Sequence, residues 1–127
     1  MTPDVQAAIA ELKQAFAGHQ VDVDPEEQGG AHVIVHDLFI GKGFAPTQSW
    51  VGFAINFQYP RSDVYPHFIE PNVRRADGAA FGQGISGPTD WHGRKAIQIS
   101  RRSNHWDPTR DTAGLKLAKV LEWLRQQ

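Results

Sequence analysis

The chain contains no cysteine. That absence excludes disulfides, thiolate metal sites and any thioester intermediate built on the chain itself. A charge excess is missing too: 13 lysines and arginines stand against 14 aspartates and glutamates, which leaves nothing to grip a nucleic-acid backbone or an anionic membrane. No run approaches the ~20 consecutive apolar residues of a membrane span, and Met1-Thr2-Pro3-Asp4 lacks the basic start and apolar stretch of a secretion signal. The expected setting is cytoplasmic, with no nucleic-acid or membrane partner. Repeats, low-complexity tracts and linkers are also lacking. A length of 127 residues with 40% hydrophobic content predicts a single domain over 1–127 with one core.

What is present reads as helix, strands, loop and helix. Thr2 and Pro3 suit the start of a helix in which Val5, Ala8, Ile9, Leu12, Ala15 and Phe16 recur at helical spacing, with Gly18 as its stop. His19 to Asp24 alternates as an edge strand, Gln28-Gly29-Gly30 turns the chain, and a second strand runs from about His32 to Ile40. Trp50 to Tyr59 alternates most cleanly, with Val51, Phe53, Ile55, Phe57 and Tyr59 on one face. Tyr59-Pro60 and Tyr65-Pro66 end that strand, and a short extended piece follows from His67 to Glu70. Arg74 to Lys95 is glycine-rich without a clear period and predicts a long loop. Its Gly82-Gln83-Gly84-Ile85-Ser86-Gly87 lacks the strand and helix context of a dinucleotide site. Ala96 to Ser100 predicts a last short strand. A closing helix is expected from near Thr109 to Arg125, started by Asp107-Pro108 or Asp111 and turning Ala113, Leu117, Val120, Leu121 and Leu124 to the core.

From Tyr59 onward the order of features resembles the ubiquitin-conjugating (UBC) fold. The cues are a strong strand, the two Tyr-Pro pairs, Glu70-Pro71-Asn72, a loop, then Trp106-Asp107-Pro108 before a helix. The run from Arg101 to Pro108, with Asp111 and the Leu-rich helix after it, is similar to the prokaryotic branch of that superfamily. The resemblance spans roughly Trp50 to Leu124. It implies an α+β, UBC-like fold: N-terminal helix, four-stranded antiparallel meander, long loop, and C-terminal helix packed on the sheet. It also implies work in a bacterial ubiquitin-like conjugation or related defence pathway, with a ubiquitin-like modifier or its activating enzyme as partner and no cofactor.

Family members commonly carry His-Pro-Asn and then a catalytic cysteine. Here Glu70-Pro71-Asn72 keeps the asparagine that steadies an oxyanion and replaces the histidine. Counting on from that triplet puts the cysteine's position near Ala80 or Phe81, and counting back from Trp106 puts it near Ala96; none of these side chains is a nucleophile. The expected function is therefore a non-catalytic UBC-fold interaction module unable to form a thioester. The alternatives are a hydrolase or oxyester-forming acyl transferase, with Asn72, His92, His105 and Ser100 as candidates and Ser86 and Ser103 nearby, or a His-liganded metal protein. His32 and His36 lie about 13 Å apart on one strand face, too far to share an ion. His67, His92 and His105, with Asp90 or Glu70, show no spacing diagnostic of a metal, and none is assigned. For a partner, Trp91, Arg74 and Arg75 are the candidate contacts, while Arg101-Arg102 reads first as a solvated pair. Trp106 is expected to wedge between the last strand and the closing helix.

Overall fold

The computed structural model describes residues 1–127. Its first helix, α1, spans Pro3–Ala15; the Thr2 hydroxyl accepts the Val5 N–H at 3.1 Å, which satisfies one of the donors a helix start leaves open. Val5, Ala8, Ile9 and Leu12 are buried along one stripe, and the chain leaves the helix at Phe16. Eight strands follow: β1 (Val21–Pro25), β2 (Ala31–Phe39), β3 (Phe44–Ala45), β4 (Gln48–Ile55), β5 (His67–Ile69), β6 (Arg74–Arg75), β7 (Ile85–Trp91) and β8 (Arg94–Ile99). Helix α2, Ala113–Arg125, closes the chain. Six strands form an antiparallel sheet in the order β1-β2-β4-β5-β8-β7, and β3 pairs with β6 in a separate two-stranded ladder.

Both helices lie on one face of the sheet. Val33, Val35, Val51, Phe53, Ile55, Ile69, Ile97 and Ile99 alternate toward that face and join α1 and α2 residues in a single hydrophobic core. The α+β, UBC-like arrangement with a helix at each end is therefore observed, and the sheet is wider than the expected four strands.

Three boundaries differ from the sequence expectation. First, β4 stops at Ile55, not Tyr59. Asn56 accepts the Gln58 N–H on its side chain at 2.7 Å and the Tyr59 N–H on its backbone at 3.0 Å, so a turn replaces the last alternation. Phe57 is left exposed, while Tyr59 swings into the core, where its hydroxyl accepts the Ala113 N–H at the start of α2. Second, the expected loop from Arg74 to Lys95 holds β6, all of β7 and the start of β8. A register shift between Ser86 and Thr89, at Gly87-Pro88, breaks the alternation that would have revealed β7. β7 tolerates Pro88 because it is the sheet's edge strand. The hairpin turns at His92 and Gly93, both at positive φ (46° and 78°), the conformation tight β-hairpin turns require. Third, α2 begins after Thr112, whose hydroxyl accepts the Leu115 N–H. Asp107 uses its own carboxylate on the Thr109 N–H and hydroxyl, making a separate turn ahead of the helix.

Candidate functional site

The segment between β8 and α2, residues 100–112, is the part of the chain with little regular structure and much side-chain bonding. Trp106 donates its indole N–H to the Pro60 carbonyl at 2.6 Å and packs against the core beside Tyr59. This clamps the segment to the turn after β4. Beside it, the Asp63 carboxylate accepts the Ser103 N–H at 2.7 Å and the Ser103 hydroxyl at 3.1 Å, and the Lys116 ammonium bonds both Asp63 oxygens at 2.9 and 3.0 Å. The third ammonium N–H goes to the Ser103 hydroxyl at 2.7 Å. The Lys116 side chain is only 5% exposed, and such a charge is tolerated because all its donors are used. Burial alone would push the Asp63 carboxyl up, but the Ser103 donors and the Lys116 charge outweigh it and hold Asp63 below the usual carboxylate range.

A cleft of about 320 Å³ opens at this junction, lined by Arg101, Arg102, Ser103, Asn104, His105 and, from α2, Lys116 and Lys119 among others. Ser103 is its only hydroxyl. That hydroxyl directs its proton to a carboxylate whose low pKa makes it a weak base, and it accepts from an ammonium committed to the same carboxylate. Neither neighbour is set to activate it. His67 of β5 is fully buried among these elements, with no hydrogen-bond partner on either ring nitrogen. Burial, reinforced by the nearby Lys116 charge, pushes its pKa down to about 3, so it stays neutral.

The other candidate residues are dispersed. Asn72 is exposed after β5, where Glu70 closes a turn onto the Val73 N–H. Ser100 accepts the Gln98 amide at 3.1 Å, while His105 lines the cleft without a hydrogen-bond partner in the protein and His92 bonds Asp24 at 2.8 Å. No hydrogen bond joins His92, His105, Asn72 and Ser100 to one another. Ala80 is exposed in the segment between β6 and β7, Phe81 packs partly against the core, and Ala96 is buried in β8. No three His, Asp or Glu side chains converge closely enough to hold a metal ion. Sequence reasoning passed over Asp63 and Lys116. Lys116 did carry a signal, since it follows Ala113 by three positions and precedes Val120 by four, on the apolar stripe of α2.

A family model for prokaryotic E2 family E matches residues 10–127, nearly the whole chain. This chain belongs to prokaryotic E2 family E. Neither a curated protein nor a solved structure matches it. The resemblance read from the Tyr-Pro pairs and the Trp-Asp-Pro run thus extends to a match that also takes in the second half of α1. As an E2-like family, it relates the protein to ubiquitin-like conjugation, and this family E chain has no cysteine to carry a modifier. No helix in it is long and apolar enough to cross a membrane.

The sheet face away from the helices gives the family E protein a second notable surface. The tip of the β7–β8 hairpin folds over it: Trp91 stacks on Phe68 (ring centroids 4.8 Å apart, 15° between planes) and lies against Trp50 and His32. A side chain at Gly52 would run into the Trp91 indole, so the glycine makes the seat for this ring. His92 continues across the face, stacked on His32 at 3.8 Å and bonded to Asp24 of β1. Burial, then the neighbouring His92, lowers the His32 pKa. Of the candidate partner contacts, Trp91 is thus half-buried on its own sheet, Arg75 is paired with Asp77 at 3.1 Å, and Arg74 is exposed on β6.

Proposed function

We propose that this family E protein is a binding module of a prokaryotic ubiquitin-like conjugation or related defence pathway, holding a modifier or its activating enzyme without becoming covalently charged. The observation that carries the reading is chemical. The chain has no thiol, and the hydroxyl in the cleft beside the Trp-Asp-Pro segment is bonded to a low-pKa carboxylate and a paired ammonium. An acyl transfer through Ser103 would first have to break the Asp63–Lys116 pair. Ser100, bonded to Gln98, has no histidine within hydrogen-bond reach. The contacts proposed for the partner are Arg74, Arg75 and the open edge of Trp91.

The test is to incubate the protein with a cognate ubiquitin-like modifier, its activating enzyme and ATP, and to follow intact mass alongside a binding titration. Saturable binding with no mass increment is the expected result, weakened by Arg74→Ala and Trp91→Ala. A hydroxylamine-sensitive, thiol-resistant adduct would show an oxyester and overturn the reading. Absence of both binding and adduct would remove its pathway.

A further inference from the structure

Around the cleft, the side chains that do not serve the fold are donors without acceptors. Arg101 and Arg102 make no ion pair in the protein, and Asn104 and His105 have no hydrogen-bond partner in it. Both guanidiniums nevertheless lie against aromatic rings. Arg101 lies 4.5 Å from the centre of the Trp123 ring and Arg102 lies 4.5 Å from that of Tyr65. A guanidinium backed by an aromatic plane keeps its N–H edge available and loses less freedom when it closes on an oxyanion. The carboxylates nearby are already engaged. Asp63 is saturated by Ser103 and Lys116, and Asp111 accepts the Asp107 N–H at 2.7 Å and faces Lys119 at 3.6 Å. In a chain of net charge −1, this is a local concentration of cations.

We propose that this cleft is a binding site for a phosphoryl group, carried on a small ester or on a phosphorylated side chain. A phosphomonoester brings a charge of about −1.5 to −2 and three acceptor oxygens at neutral pH. Two guanidiniums and the Asn104 amide match that demand, and the exposed Lys119 ammonium adds positive charge beside Asp111, which also lines the cleft, whereas a single carboxylate would leave part of the donor set idle. Val120 is the only apolar lining residue and the volume is small, so the site suits the anion itself and offers no platform for a stacked base or a groove for a polymer. The proposal stands on the cleft alone and is independent of the conjugation reading.

The experiment is a titration followed by amide NMR at constant ionic strength, with pyrophosphate as the first probe and AMP, a phosphoserine peptide and acetate as comparisons. Saturable shifts confined to Arg101–His105 and Lys116–Val120 are expected with pyrophosphate and not with acetate. The double variant R101Q/R102Q should weaken binding by about tenfold or more, and Lys95→Gln, at the far end of β8 from the cleft segment, should leave it unchanged. Should the double variant lose its dispersed spectrum, Lys119→Gln replaces it, with a loss of about threefold expected. Tighter binding of AMP than of the peptide assigns the phosphoryl group to a small ester, and the reverse assigns it to a phosphorylated protein; either supports the site. Shifts scattered over the surface, an equal response to acetate, or an equal loss in Lys95→Gln would overturn it.

Discussion

The two faces of the sheet are covered in different ways. The helix side buries a continuous aliphatic core in which two polar features, the Asp63–Ser103–Lys116 cluster and neutral His67, are enclosed at one end. On the other side, Ile34, Phe68 and Ala96 are buried without a covering helix, and the ring over Phe68 is the Trp91 indole. The difference teaches where each charge is costly. On the helix side a charge must be fully partnered or absent. On the outer side, His92 and Asp24 hydrogen-bond in partial contact with water, where such a contact contributes little.

The sharpest way to break this contrast is to remove one member of the enclosed pair. Lys116→Met should destabilise the protein by about 3 kcal/mol in urea unfolding, because it leaves the Asp63 carboxylate with only the Ser103 donors. Adding Asp63→Leu to that variant should recover much of the loss, which would identify the stranded charge as its source. The Asp63 contribution also has a pH signature. Its folded pKa is lowered, so its stabilisation is complete above the unfolded value of about 3.9 and declines as pH falls through the lower folded value.

Next in size is the seat of Trp91. Gly52→Ala should cost about 2 kcal/mol and change the tryptophan fluorescence, since the indole must lift off the sheet. In a Trp91→Ala background the same substitution should cost much less, and equal costs in the two backgrounds would show that the ring does not sit there in solution.

His67 tests the helix face from the opposite direction. The unfolded chain takes up a proton near pH 6.5 while the folded protein resists until about 3, so stability should fall by about 1.4 kcal/mol per unit as pH drops below 6.5. His67→Leu should flatten that slope by removing the titrating ring and two unpartnered ring nitrogens. A slope unchanged between pH 6 and 4 would show that His67 is not the titrating group. The smallest effect belongs to the outer face: Asp24→Asn should change stability by less than about 1 kcal/mol, in a salt-dependent way.

The parts of the fold legible in the chain were those written locally. The α1 stripe with its Thr2 cap and the alternation of Val51, Phe53 and Ile55 each follow from a few neighbouring residues, because helix and strand periods place every third or fourth, or every second, side chain on one face. β7 was not legible, because Gly87-Pro88 interrupts its period and its pairing comes from β8. Of the cleft, the sequence displayed Arg101, Arg102, Ser103 and His105 as neighbours but not their fixed partners. Trp123, Tyr65 and Asp63 reach them from elsewhere in the chain.

By itself, then, the sequence determined the α+β class, the order of most elements, and the exclusion of thioester chemistry, since a missing thiol is missing in any conformation. Only the tertiary structure decided which polar groups meet. Asp63 joins Ser103 across 40 positions and Lys116 across 53, and His92 joins Asp24 across 68. No periodicity encodes such pairings. They arise because a sheet and two helices, packed to bury their apolar faces, bring distant segments within hydrogen-bond distance, and around Asp63 and Lys116 the packing also removes the water that would otherwise have served them.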